Sequence, residues 1–482
     1  MPRSLVLALD LGTTASRAGL LDARGRLVGL RAMPAPPAAG DEASAEGWWD
    51  AAVSLSDALA ADAGAPAWDG VRAVAATGAT RTQVLLDAAL RPVRPALLWT
   101  DARSAAALDG LAAPDHPEGA ALNPYHPAAR LLWLRRAEPA ALDAAACVVE
   151  PKDFVAARLT GRAASDTVAS ARLAAAAAPG RAGGASLLAL LGLPESLVPP
   201  LLAPGAVIAP VRAGLPGALG RLAGRPAVAL GTDTWTAALG LGALRDGGAY
   251  LLSGTTDVLG LVSLRAAAAP GLVALPWGGG LHHLGGPMNC GGGTAAWAAR
   301  ALGLADATTL DALAATARPG PPLFLPHLAG ERAPFWNPAL RGAWVGLSAE
   351  TGPAAMALAV LAGVAFNARL VLERTEAALG RRADALRLGG GGASAPWAGV
   401  RADVLGRTVL MGAAPEPGLL GAAIAAWTAL GGYADMPAAQ GALVPPPRPV
   451  RPDPAHSAAW DGLFPAWSGA VEALRAVPWP TR

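Results

Sequence analysis

Apolar residues fall into two spacings along this chain, and the order in which they alternate outlines its architecture. Strand-length apolar runs come first, at residues 5–9, 18–21 and 27–30, separated by Gly12-Thr13-Thr14 and by Asp22-Ala23-Arg24-Gly25-Arg26. Short apolar runs punctuated by such turns read as an antiparallel meander. After Ser44 the spacing becomes helical, through Trp48, Leu55 and Leu59. Strand-like runs return at 71–75, 84–86 and 95–99, followed by helical candidates at 128–136, 153–159 and 186–191. A strand meander followed by alternating helices and strands predicts a mixed-sheet α/β domain.

The same plan then starts again. A buried strand at 226–230 ends in Gly231-Thr232-Asp233 and runs into a helix at 234–241, after which Arg245-Asp246-Gly247-Gly248 reads as a hinge. Beyond it, strands at 250–252 and 258–262 flank Ser253-Gly254-Thr255-Thr256-Asp257, with clear helices at 353–379 and 395–405. At 482 residues the chain exceeds what one core usually supports. The expected division is 1–245, 246–440 and a proline-rich tail, 441–482, packed along the surface. Duplicated strand, turn and strand units suggest two domains facing each other across a cleft.

Composition narrows the possible functions. The hydrophobic fraction is 53%, but much of it is alanine, and no run reaches the roughly 18 to 20 uninterrupted apolar residues of a membrane span. Asp10 interrupts the first apolar stretch, which reads as a strand rather than a signal peptide. Cys147 and Cys290 lack metal or redox spacing and are expected as free thiols in a cytoplasmic protein. Net charge is only +2, and without a basic run or aromatic platform nucleic acid is not an expected partner. No fixed-period repeat supports a purely structural protein. Among the 38 Lys and Arg residues, Lys152 is the single lysine; a compact ammonium cannot be exchanged freely for a guanidinium where space is limited, although chance retention at the surface is an equal alternative.

The candidate chemistry gathers at turns and strand ends. Turns rich in Gly and Thr converge backbone N–H groups and hydroxyls on one spot, which suits a phosphate and equally suits a plain hairpin. Asp10 could hold Mg²⁺ through waters or cap its own hairpin. Asp233 lies between a buried strand and a helix, where the helix dipole favours a carboxylate, and an ordinary N-cap is the simpler reading. Two acids at strand ends beside a phosphate-type turn are what phosphoryl transfer needs. Gly389 to Gly392 and Ala393 follow a strand and open a helix, without dinucleotide or P-loop spacing. In Pro326-His327-Leu328-Ala329-Gly330-Glu331-Arg332, the Glu-Arg pair is expected to pin an irregular loop. His282-His283 lacks a third ligand at metal spacing and reads as loop.

With these residues in view, the chain resembles the FGGY family of carbohydrate kinases, on its xylulokinase-like branch. The resemblance rests on Leu9 to Thr14, Leu98-Trp99-Thr100-Asp101-Ala102-Arg103, Pro151-Lys152-Asp153-Phe154 with Leu159-Thr160-Gly161, Gly231-Thr232-Asp233, the segment 326–347, and Gly389 to Ala393 with Trp397. It implies two ribonuclease-H-like domains of the actin/hexokinase superfamily closing over ATP and a sugar. It implies Asp233 as catalytic base, Asp10 near Mg²⁺, and Thr80, Arg81, Lys152 and Asp153 beside the substrate. Gly12, Thr13, Thr14, Arg17, Gly254, Thr255 and Thr256 would surround the phosphates, with Gly390, Gly391, Gly392 and Ala393 beside adenosine. The implied partner is a small sugar or polyol, with no membrane or nucleic acid, and a homodimer is the candidate assembly.

The chain departs from that pattern at the sugar. Gly78-Ala79-Thr80-Arg81-Thr82-Gln83 stands where these kinases usually carry Gln-Met-His, so Arg81 occupies the place of a sugar-binding His. His327 and Asn337 stand where Tyr and Asp are usual. The expected activity is phosphorylation of a xylulose-like ketose or polyol, with glycerol, another polyol or an aldonic acid as alternative substrates. A non-catalytic ATP-binding switch is the rival from another class.

Overall fold

A computed structural model describes residues 4–112 and 114–478. The chain divides into two compact units, 1–240 with 418–444, and 241–417 with 445–482.

In the first unit, six strands lie in the order Val207–Pro210, Pro226–Val228, Val71–Gly78, Leu5–Leu11, Ala15–Asp22, Leu27–Pro34. Leu5–Leu11 pairs antiparallel with Ala15–Asp22 and parallel with Val71–Gly78, which in turn runs parallel to Pro226–Val228. Leu5, Leu7, Leu9 and Leu11 pack in one core with Trp48, Ala52, Leu55 and Leu59 of the helix Ala45–Ala63. Six of the seven residues of this central strand are buried, as expected of a strand covered on both faces.

The helix Pro417–Ala429 also belongs here from Gly418 onward, although residues up to 440 were expected in the second domain. Leu419, Leu420, Ala422, Ala423 and Ile424 are all buried, so the helix is apolar all round and its sequence does not say which sheet it covers. It lies so close to the helix Asp233–Gly240 that a Cβ on Gly421 would collide with Thr236 O. Trp427 Nε1 donates to Asp22 O at 3.0 Å. The change of unit falls at Leu241, whose carbonyl accepts from Arg387 Nη1 at 2.7 Å, a few residues before the expected hinge.

In the second unit, seven strands lie in the order Val273–Pro276, His282–Pro287, Asp257–Ser263, Ala249–Ser253, Ala385–Gly389, Thr408–Met411, Arg448–Val450. The plan repeats that of the first unit. Ala249–Ser253 has an antiparallel hairpin partner on one side and the parallel strand Ala385–Gly389 on the other, which leads to parallel Thr408–Met411 and an antiparallel edge. His282 and His283 therefore sit in a strand rather than a loop.

The helix Pro353–Leu379 is long and apolar enough to cross a membrane, but 78% of its most apolar window is buried within the protein. It is the core helix of this unit. Against it packs Pro454–Arg475, in the segment expected to be a surface tail. Trp460 and Trp467 are buried with ring centroids 5.7 and 5.4 Å from Phe366, and Trp467 Nε1 donates to Phe324 O at 2.8 Å. Prolines before the helix hid its start, while Trp460, Phe464, Trp467 and Val471 keep helical spacing.

Trp467→Ala is expected to destabilise the second unit by about 3–5 kcal/mol. Thermal or urea unfolding followed by tryptophan fluorescence should show a lowered midpoint; an unchanged midpoint would mean the last helix does not complete this core.

Candidate active site

In the first unit, three adjacent parallel strands end at one edge of the sheet and carry the predicted residues there. Leu5–Leu11 brings Asp10, Val71–Gly78 leads into Thr80 and Arg81, and Pro226–Val228 leads into Asp233. Strands stand ~4.8 Å apart, so the outer two backbones are only ~10 Å apart. The carboxyl ends of parallel strands are where open α/β sheets place ligands.

Asp233 is the first residue of its helix and not the cap. Thr232 caps it, its Oγ1 accepting from Trp235 N at 3.1 Å. Asp233 Oδ1 accepts from Thr80 Oγ1 at 2.6 Å, Thr234 N at 2.6 Å and Thr234 Oγ1 at 3.2 Å. Thr80 Oγ1 in turn accepts from Asp233 N at 3.3 Å. Thr234 was not foreseen, although any polar residue after the Asp would have been a candidate.

Arg81 stands in the left-handed region at φ 58°, held through its backbone. Its N–H donates to Glu150 Oε1 and its carbonyl accepts from Arg130 Nη1, each at 2.6 Å. Arg130 also binds Trp99 O and Asp101 O, so one buried guanidinium ties two loops together. Burial lowers its pKa to about 10, with Arg81 adding repulsion.

Asp10 and Arg17 face each other directly across the first hairpin. Between them, Thr13 and Thr14 are exposed, and Gly12 O accepts from Trp48 Nε1 at 3.0 Å. A Cβ on Gly418 would lie 3.6 Å from Asp10 Oδ2, in ordinary van der Waals contact, so the start of the helix Pro417–Ala429 lies beside that carboxylate. Among the described residues no three His, Cys, Asp or Glu side chains cluster as a metal site. Mg²⁺ bound to nucleotide needs no such cluster, since waters and phosphates fill most of its octahedron, so a single carboxylate at Asp10 fits that ion.

Lys152 and Asp153, expected beside the substrate, are both buried. Lys152 Nζ bonds Asp153 Oδ1 at 2.6 Å and Asp166 Oδ2 at 2.7 Å, with all three side chains at most 6% exposed. Desolvation lowers the Lys152 pKa, but Asp153, Asp166 and Glu150 outweigh it and the net shift is upward. The single lysine is a buried, ion-paired cation, with Asp166 and Ser165 completing its surroundings. Burial also pushes the Glu150 carboxyl up to about 8, against the pull of Lys152.

In the second unit three glycine segments meet. The exposed turn Gly254-Thr255 is bonded by Gly292 N to Gly254 O (2.8 Å) and by Gly293 N to Thr255 O (2.9 Å), while Gly392 N donates to Ser253 O at 2.9 Å. Gly390 is at φ 100°, and a Cβ there would collide with Ser253 O. Gly391 is open, and Thr256 and Ala393 are half-buried at the rims of the two turns. Ser253 and Asp257 are pinned by buried Arg401, whose Nη2 lies 2.7 Å from both Ser253 Oγ and Asp257 Oδ2. Burial pushes the Asp257 carboxyl up against the opposing pull of Arg401. The Gly291-Gly292-Gly293 segment was not foreseen; a glycine run opening a helix was its signal.

In the loop beyond, Glu331 is held by more than its neighbour. It accepts from Asn289 N, from Arg332 N at 2.9 Å and from Asn367 Nδ2 at 3.1 Å, and lies 3.2 Å from His327 Nδ1. His283 is also occupied by the fold, stacked on Trp277 with centroids 4.7 Å apart.

Comparisons with known proteins identify the family. Residues 5–240 match the N-terminal domain, and residues 249–430 the C-terminal domain, of the FGGY family of carbohydrate kinases. The chain is 31% identical to a xylulose kinase of Klebsiella pneumoniae over 467 residues, covering 93% of this chain and 95% of that protein. It is also 31% identical to a glycerol kinase of Dechloromonas aromatica over 500 residues, covering 98% of each. The crystal structure of xylulose kinase from Rhodospirillum rubrum superposes with a TM-score of 0.80 at 27% identity, covering 98% of this chain and 99% of that one. The chain belongs to the FGGY family of carbohydrate kinases, with two domains of the actin/hexokinase type. It is a phosphotransferase that uses ATP to phosphorylate a sugar or polyol, which removes the non-catalytic switch.

The Glu150 proton links this site to stability. A carboxyl at about 8 in the fold and near its ordinary 4.5 when unfolded stabilises fully below the lower value, progressively less above it, and not at all above the higher one. Melting temperatures of wild type should therefore fall more between pH 6 and 8.5 than those of Glu150→Gln. Parallel curves would show that Glu150 keeps no proton in the native state.

Proposed function

We propose that Asp233 is the base that orients and deprotonates the acceptor hydroxyl of this kinase. The observation that carries the reading is the asymmetry of its carboxylate. Oδ1 takes three donors from Thr80 and Thr234, whereas Oδ2 has no hydrogen-bond partner among the described residues. One oxygen fixes the direction of the group and the other is left to accept from an incoming hydroxyl.

Base catalysis of this kind supplies about 10² to 10⁴-fold, so positioning and charge neutralisation must supply most of the rest. Gly12, Thr13, Thr14 and Arg17 in the first unit, and Gly254, Thr255 and Thr256 in the second, are the proposed phosphate contacts. Gly390 to Ala393 are the proposed adenosine contacts. Exposed backbone and hydroxyls at both turns support this assignment. Asp10 would hold Mg²⁺, which when bound neutralises phosphate charge. Similarity to xylulose and glycerol kinases supports a small open-chain polyhydroxy acceptor.

Asp233→Asn keeps an oxygen for Thr80 and Thr234 but no base. Its kcat is expected to drop about 10² to 10⁴-fold in a coupled assay of ADP formation, with the KM for ATP within a few-fold of wild type; undiminished kcat would remove the assignment. Asp10→Asn should raise the Mg²⁺ concentration for half-maximal rate by at least about tenfold, the effect of losing about 1.4 kcal/mol of binding. An unchanged Mg²⁺ titration would assign the ion elsewhere.

A further inference from the structure

Most buried and half-buried arginines near the proposed site of the first unit are matched to acceptors. Arg94 bonds Glu42 and Glu138 at 2.6 and 2.8 Å. Arg130 reaches three backbone carbonyls, and Arg172 bonds Glu118 at 3.0 Å. Arg81, next to Thr80 at the proposed site, is not. Its guanidinium is half-buried and has no hydrogen bond or ion pair among the described residues.

The backbone that displays it is rigid. Glu150 holds the N–H and Arg130 the carbonyl, in a left-handed conformation that side chains rarely adopt without such bracing. Thr80, the preceding residue, is bonded to Asp233. The guanidinium thus starts one residue from the contact that orients the proposed base, and its charge interacts with Asp233, Glu150 and Arg172.

The surrounding carboxylates are otherwise committed. Glu118 serves Arg172 and His126, Asp101 serves Arg103, and Asp153 and Asp166 serve Lys152. Glu150 is spent on the Arg81 amide itself, which leaves only Asp233, whose Oδ2 the reading above reserves for the acceptor. Arg172 on the same side adds repulsion. A guanidinium left half-desolvated beside another cation is stabilised by an external anion, and its planar fork fits a carboxylate through two parallel hydrogen bonds.

We infer that Arg81 selects an acceptor carrying a carboxylate on its polyol chain, a sugar acid of the aldonate class, in preference to a neutral ketose or polyol. The inference rests on the reading of Asp233 as base, because Arg81 would bind one end of the molecule whose hydroxyl Asp233 activates.

The test is steady-state ADP formation by the full chain with ATP and, separately, D-xylonate, xylitol, D-gluconate, D-glucitol and D-xylulose. Each acid and its polyol differ only at C1. The better aldonate is expected to exceed its polyol in kcat/KM by about 10- to 100-fold, the range of a charge-assisted hydrogen bond. Arg81→Met should bring that ratio close to one and Arg81→Lys should keep part of it, since both retain the backbone clamps. Neutral acceptors reacting as well as the aldonates in wild type, or an acid-to-polyol ratio that survives in Arg81→Met, overturns the inference. Asp233→Asn separates the two readings. If it abolishes turnover while the ratio is flat, only the role of Arg81 falls; if it retains turnover, both fall.

Discussion

The hydrogen bond from Thr80 to Asp233 is the contact on which the first unit's chemistry depends. It joins the end of one parallel strand to the start of the helix that follows the next, across 153 residues of sequence. Without it the carboxylate at the helix start would be free to turn toward its own backbone, as Asp does at helix starts generally. With it, and with Thr234 on the same oxygen, the carboxylate is held through Oδ1 and Oδ2 has no hydrogen-bond partner among the described residues. Thr232 takes over the capping role, which frees Asp233 from the service the helix would otherwise demand of it.

The second unit solves the equivalent problem with glycine. Its hairpin turn carries no side chain beyond threonine, and the segments that approach it, Gly291 to Gly293 and Gly390 to Gly392, could not come so close with any Cβ at several of those positions. What keeps such a bare assembly in shape is the buried Arg401, Asp257 and Ser253 triangle beneath it. A charge pair desolvated to this extent contributes little net stability. Its value is directional, because it fixes the two ends of the turn while leaving the turn's outer face to solvent.

Much of this was legible in the sequence because it is local. The helices 353–379 and 395–405 fall within their predicted bounds, since proline at the first turn and glycine just past the end mark both chemically. The duplicated turns were equally visible between apolar runs. What escaped depends on contacts far apart in sequence. Nothing near Lys152 reveals that Asp166 completes its surroundings, so its burial and second ion pair could not be read. The helix 417–429, apolar on every side, announces burial but not its partner. Prolines disguised the helix 454–475, and the glycines at 291–293 lacked a motif to name them.

The charges grouped with Glu150 bear on how a cation can be presented at the site. The Arg81 amide is bonded to Glu150, one of three carboxyls grouped with a single ammonium, Lys152 with Asp153, Asp166 and Glu150. Had all three acids been charged, the cluster would carry net negative charge and draw the guanidinium down into itself. Burial raises Glu150 to about 8, so near neutral pH it keeps its proton and the cluster is less negative by one charge. Glu150 then serves the Arg81 amide as a hydrogen-bond acceptor without competing strongly for the side chain. A protonated Glu150 lowers the negative charge of the cluster without removing it, and with its oxygen given to the Arg81 amide it competes less for the guanidinium.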